Sequence, residues 1–248
     1  MHDRQLYIVG NGFDLWHGIP SSFKQFKAFV REHDRALLQL VEDHLPTDEN
    51  WNHLEHALAR IDVDSIIGEL GHFMPSYGAD DWSDSGHHDF QYEVSRLVQS
   101  LSEGLKRQLT AWMRQLSPRA LASGVQRLQT LNPAASFLTF NYTPTLQQLY
   151  DVPNSHILHI HGRADDPDSA LILGHAWNPK ERCSLNDRPD IEDIDTRLME
   201  ANAILDSYFS TTFKPSKHLI QNHHLFFQQQ ADIGTVCVLG RAPPPASE

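Results

Sequence analysis

Leu6-Tyr7-Ile8-Val9-Gly10-Asn11-Gly12-Phe13-Asp14 is the stretch on which the fold turns. Four apolar, β-prone residues stop abruptly at Gly-Asn-Gly, the pattern of a buried strand that feeds a tight turn. Glycine at both flanks allows sharp backbone paths and lets N–H groups approach a ligand without a Cβ in the way. A strand ending in Gly-x-Gly is therefore the expected first strand of an α/β unit and a candidate phosphate loop, although a lone G-x-G is more often an ordinary turn.

Working outward, Ser21 and Ser22 offer N-caps to a helix whose Phe23, Phe26, Phe29 and Val30 recur at helical spacing and continue through Leu37, Leu38 and Val41. From Phe90 the apolar positions Val94, Leu97, Val98, Leu101, Leu105, Leu109, Trp112, Met113 and Leu116 predict one long amphipathic helix. Pro75 to Asp89 reads as a polar loop. Strand character resumes at Ala135 to Phe140, and further strands are expected at Ile157 to Ile160, Leu171 to Leu173 and Thr235 to Leu239, with helices near 191–208 and 216–230. The expected fold is α/β, with a mostly parallel sheet formed by 1–21 and 132–240, a helical insertion or cap at 22–131, and a proline-rich tail at 241–248.

Composition narrows the function classes. The chain has 248 residues with 20 Lys plus Arg against 32 Asp plus Glu, a formal charge of −12. That surplus disfavours nucleic-acid binding. With an apolar share of 40 % the chain can bury a substantial core. No apolar run approaches the roughly 18 residues of a membrane span, and the N-terminus lacks a signal-peptide pattern, so a cytoplasmic protein without membrane contact is expected. Cys183 and Cys237 are too few for a disulfide framework and read as small buried hydrophobes.

Three segments share one topological position, the place where an apolar strand stops: Gly10-Asn11-Gly12-Phe13-Asp14, Phe140-Asn141-Tyr142-Thr143 and His159-Ile160-His161-Gly162. A parallel sheet brings such strand ends to one crevice. Asn141 offers an amide donor and a carbonyl acceptor, suited to a carboxamide, a ribose hydroxyl or a water, or else simply forms a turn. His161 could remove a proton near neutral pH, and His159 lies on the same strand face, so alternation leaves the choice between them open. Asp14 and Glu55 are further carboxylates with either a chemical or a capping role. The histidines and aspartates His72, Asp80, Asp81, Asp84, His87, His88 and Asp89 lack a metal-site spacing, and no metal is expected.

The segment from Leu6 to Phe23, together with Trp51-Asn52-His53-Leu54-Glu55, F-N-Y-T at 140–143, H-I-H-G at 159–162 and L-G-H at 173–175, resembles the AbiH family of phage abortive-infection proteins over nearly the whole chain. The same landmarks resemble the sirtuin-type NAD-binding fold, with spacings Gly12 to Gly18 and Asn141 to His161. That resemblance implies NAD as ligand or substrate. Gly10, Asn11 and Gly12 would line its phosphates, flanked by Phe13, Asp14 and Gly18. Asn141 and His161 would be the catalytic pair, with Tyr142 and Gly162 beside them. Ser21-Ser22-Phe23 replaces the Asp-Phe-Arg of sirtuin deacetylases, Thr143 replaces their acidic residue, and two cysteines cannot supply their zinc module, so protein deacetylation is not expected.

The implied activity is hydrolysis of NAD at the nicotinamide–ribose bond by an abortive-infection effector. The alternatives are a non-catalytic nucleotide-sensing module that changes assembly state, a homo-oligomer being expected, and a nuclease. Relative to AbiH-like chains, the C-terminus after Gly240 reads as shortened by truncation or frameshift.

Overall fold

A computed structural model describes residues 4–74, 88–118, 127–191 and 194–240. Two compact units emerge, one made of residues 1–26, 109–172 and 216–248, the other of 27–108 and 173–215. The second unit thus gathers 173–215, which the sequence reading assigned to the α/β core.

In the first unit, β1 (Gln5–Val9), β2 (Ser136–Thr139), β3 (Ile157–His159) and β4 (Thr235–Leu239) form a sheet in the order β3-β2-β1-β4. Every pairing is parallel: Tyr7 stands beside Phe137 and Cys237, and Val9 beside Thr139 and Leu239. A parallel sheet needs apolar cover on both faces, which is why its strands read as short continuous apolar runs. One face buries Tyr7, Val9, Phe137 and Phe13 with Leu131, Leu146 and Val152; the Tyr7 and Phe137 rings stack at 5.0 Å. The other buries Leu138, Leu158 and Ile160, against which Leu219, Phe226 and Phe227 pack from α10 (Ser216–Asn222) and α11 (His224–Gln229).

The strand expected at Leu171–Leu173 does not form. Leu171 and Leu173 are buried without ladder partners, and the nearest pairing is a single bridge between His175 and Phe213. A three-residue apolar run cannot be told from a buried extended segment by pattern alone. Burial also differs at the thiols: Cys237 is partly buried in β4, whereas Cys183 is exposed.

Helices make up most of the remaining described structure, and side-chain capping sets several of their starts. α2 (Phe23–His33) opens on a reciprocal pair in which the Gln25 N–H donates to Ser22 Oγ at 3.5 Å and the Ser22 N–H to Gln25 Oε1 at 3.1 Å. The apolar repeat expected to run unbroken to Val41 is cut at Asp34, whose Oδ1 accepts from the Leu37 N–H and starts α3 (Arg35–His44). α4 (Leu54–Ala57) and α5 (Val63–Leu70) follow, the latter capped by Asp62. α6 (Asp89–Gln99) packs on α9 (Thr196–Thr211) through Phe90, Val94, Leu97 and Val98. The single helix expected from Phe90 onward is interrupted by a π turn at Ser100–Gly104 before α7 (Leu105–Gln115). There Ser102 Oγ donates to the Val98 carbonyl, a side-chain bond back to the preceding turn.

Residues 75–87 of the polar loop expected at 75–89 and the tail at 241–248 lie outside the described residues. Among the described residues, no helix is long and apolar enough to cross a membrane.

Candidate functional site

The parallel arrangement puts the carboxyl ends of β1, β2 and β3 side by side, the place where α/β sheets gather ligands. At the end of β1 the chain enters α1 (Asn11–Trp16) directly, with Gly10 as its N-cap. The glycines here have a structural reason. The Gly10 N–H donates to Leu239 O at 2.9 Å and the Gly12 N–H to Gly240 O at 3.2 Å, locking this turn onto the end of β4. A Cβ on Gly12 would lie 2.9 Å from Gly240 Cα, so only glycine admits the approach, and Gly240 itself sits at φ +71°.

Those amides, and the Phe13 N–H that donates to Gly10 O at 3.0 Å, are thus already engaged within the chain. The Asn11 side chain is spent likewise: its Nδ2 donates to Ser21 O at 3.0 Å and its Oδ1 accepts from Ser21 Oγ at 2.6 Å. Gly18, at φ +75°, closes the turn after α1, where its N–H donates to Leu15 O. Phe13 is a core residue of the sheet.

Asp14 is the unusual member of α1, a carboxyl only 1 % exposed. The hydroxyl of Thr143 donates to its Oδ2 and that of Thr145 to its Oδ1 at 2.7 Å. Burial drives its pKa from 3.8 up to about 6, with Thr143, Thr145 and Asn141 pulling in the opposite direction by hydrogen bonding. Near neutral pH it is ionised. At lower pH it takes a proton well before an ordinary aspartate would.

Asn141 follows β2 and is 6 % exposed. Its backbone N–H donates to Thr139 Oγ1 at 3.1 Å and its Nδ2 donates to Gly10 O at 3.2 Å, tying the ends of β1 and β2 together. Its Oδ1 is buried with no hydrogen-bond partner among the described residues. A buried acceptor without a donor is costly, and such atoms call for an explanation.

The histidines divide. His159 donates from Nδ1 to Asn141 O at 2.9 Å and accepts at Nε2 from Gln147 at 3.0 Å, with Gln147 in α8 (Thr145–Tyr150). Burial lowers its pKa to about 4, so it is neutral and acts as a strut for Asn141. His161 lies just beyond β3, partly exposed, its ring edge-on to Phe140 at 5.3 Å and 6.3 Å from the Tyr142 ring. Gly162, at φ +89°, lets the chain pass tightly under Ala170, while the Tyr142 hydroxyl donates to Ile172 O at 2.6 Å.

The structure therefore ties Asn141 to Gly10 by a hydrogen bond, holds Asp14 on Thr143 and Thr145, and brings His161 to the residues on either side of Asn141. Glu55 belongs to the other unit, where Lys214 Nζ donates to it at 2.5 Å. Sequence reasoning missed Thr143 and Thr145 as holders of the Asp14 carboxylate. It also missed the partly buried relay in which the Leu128 N–H donates to the Tyr150 hydroxyl, Tyr150 to His17 Nε2 and His17 Nδ1 to Phe13 O. A Thr-Pro-Thr following a strand-end asparagine was the available signal for the first. Among the described residues, no three His, Cys, Asp or Glu side chains converge as a metal site.

A family model described as Bacteriophage abortive infection AbiH matches residues 6–242. No curated protein and no solved structure matches the chain.

Proposed function

Because the chain belongs to the AbiH family of bacteriophage abortive infection proteins, we propose that it serves that role by hydrolysing NAD at the nicotinamide–ribose bond. The observation that carries this reading is the orphaned, buried Oδ1 of Asn141 at the carboxyl end of a parallel sheet, one strand away from His161.

Breaking the glycosidic bond sends its electron pair to the nicotinamide nitrogen and leaves cationic, oxocarbenium-like character on the ribose. What that transition state requires is acceptors facing the sugar and a base for the incoming water. Asn141 Oδ1 supplies an acceptor for a sugar hydroxyl or the nicotinamide amide, and the nearby Asp14 carboxylate adds negative charge in a low-dielectric surrounding, where it counts for more than in water. His161 is the candidate to take the proton of water as the new C–O bond forms. The glycine turn enters differently from the sirtuin-like expectation. Its Gly10, Gly12 and Phe13 amides are already donated, so this reading assigns the pyrophosphate no place there. Loss of a central cofactor is sufficient to arrest an infected cell, which is the logic of abortive infection.

The competing reading is a module that binds a nucleotide without cleaving it. Incubation of the purified chain with NAD and chromatography of the products separates the two. Release of nicotinamide that is lost in Asn141→Ala and in His161→Ala supports hydrolysis. Binding of NAD with no nicotinamide release overturns it in favour of the non-catalytic reading.

A further inference from the structure

A guanidinium can only donate hydrogen bonds, so whatever it bonds must turn an acceptor toward it, and that demand passes along any chain of amides attached to it. Such a chain runs beside β3. Arg163, paired through Nε with Asp165 Oδ1 at 2.6 Å, donates from Nη1 to Asn154 Oδ1 at 2.8 Å. The Asn154 oxygen accepts a second bond, from Gln147 Nε2 at 3.3 Å. That same Gln147 nitrogen lies 3.0 Å from His159 Nε2, and His159 Nδ1 lies 2.9 Å from the Asn141 carbonyl oxygen.

The neighbours fix every direction in this chain. A carboxamide is nearly the same shape from either end, so its partners decide which end faces them. Arg163 turns the oxygen of Asn154 inward, and that oxygen in turn requires the NH2 end of Gln147. With one hydrogen given to Asn154, the second points at His159 Nε2, which must therefore carry a lone pair. Asn141 O can only accept, so Nδ1 holds the imidazole proton. The amide orientation has a visible cost: Gln147 Oε1 is left buried with no hydrogen-bond partner among the described residues. Both ring nitrogens of His159 are thereby engaged, which removes this histidine as a base and leaves that task to His161.

We infer that Gln147 is a positioning residue: its NH2 group, oriented from Arg163 through Asn154, holds His159 as the Nδ1–H tautomer and so fastens the main chain of Asn141, whose Oδ1 faces the ligand. The last step rests on the reading of Asn141 as the residue that meets NAD, whereas the tautomer of His159 does not depend on it.

The ring nitrogens of His159, assigned by their loss in His159→Leu, report the tautomer directly in ¹⁵N-correlated NMR of the free protein at pH 7. Expected in the wild type is a proton on Nδ1 and an unprotonated Nε2. Gln147→Glu keeps the shape of the side chain but offers only acceptors, so His159 should there become doubly protonated, a change that lost packing does not produce. Asn154→Asp still accepts from both neighbours and should keep the Nδ1–H form. An Nε2–H tautomer in the wild type, an unchanged His159 in Gln147→Glu, or a switched tautomer in Asn154→Asp overturns the proposal. Nicotinamide release from NAD gives a second readout, with kcat/KM expected to fall about tenfold or more in Gln147→Glu because Asn141 is displaced. Release that is undiminished in this variant removes the positioning role and leaves the NAD reading standing. The expected tautomers in a wild type that releases no nicotinamide keep the hold on Asn141 and remove NAD as the substrate.

Discussion

Replacing Asp14 by asparagine keeps the size and shape of the side chain and removes one ionisation. In the folded chain this carboxyl titrates near 6 because it is buried, whereas in the unfolded chain it titrates at the ordinary 3.8. Below 3.8 both states hold the proton and no difference arises. Between 3.8 and 6 the folded state keeps a proton that the unfolded state has lost, so stability falls as pH rises through this window. Above 6 the full penalty is present. At about 1.4 kcal/mol per tenfold change in proton affinity, the displacement is worth about 3 kcal/mol, of which about 2 kcal/mol develops between pH 4 and pH 8. His159 works against this trend. Its pKa is lowered from 6.5 to about 4, so its contribution is present above 6.5 and is lost as pH falls toward 4. Wild-type stability alone therefore mixes two opposed slopes, and the quantity to measure is the difference between wild type and Asp14→Asn. Amide hydrogen exchange of β1 and β2, read by mass spectrometry at several pH values and corrected for intrinsic rates, reports the opening of the sheet without requiring both units to unfold together. The variant should gain on the wild type by about 2 kcal/mol from pH 4 to pH 8. A difference that stays constant across this range would refute the buried-carboxyl argument, whatever its sign.

Gly12→Ala places a Cβ 2.9 Å from Gly240 Cα, backbone against backbone, and should destabilise the sheet unit by about 1–3 kcal/mol; a denaturant midpoint equal to that of the wild type contradicts the interlock of β4 with the glycine turn. His159→Leu leaves the Asn141 carbonyl without its side-chain donor and should cost about 1–3 kcal/mol while weakening the loss of stability between pH 6.5 and 4; thermal melts at pH 5 and 8 check both parts. Tyr150→Phe strands the Leu128 N–H and the His17 Nε2 together, and a cost of about 1–2 kcal/mol in urea unfolding is expected, with no change if the relay carries no weight.

Much of the sheet was legible because parallel strands are covered on both faces and so appear as unbroken apolar runs. Thr235–Leu239 was read to the residue, and Leu6–Val9, 135–140 and 157–160 to within one or two. Leu171–Leu173 has the same appearance but no ladder, since burial and strand pairing leave the same mark on three residues. The helical repeat from Phe90 was read correctly as apolar spacing, while the π turn at Ser100–Gly104 was not, because a single added residue per turn barely disturbs the periodicity. The glycines were recognised as a close-approach signal, but the approaching partner turned out to be Gly240 O, more than two hundred residues away in the chain.

Local order alone thus fixed where the strands stop, which residues could bear chemistry at those stops, and the family to which the chain belongs. Folding decided their state. Whether an amide is free to bind a phosphate, whether a histidine is a strut or a base, and whether an aspartate titrates near 4 or near 6 depend on desolvation and on partners distant in sequence: Gly240 for Gly12, Asn141 for His159, Thr143 and Thr145 for Asp14. Charge and hydrogen-bonding capacity belong to the residue, but their free-energy cost belongs to the surroundings that exclude water from it.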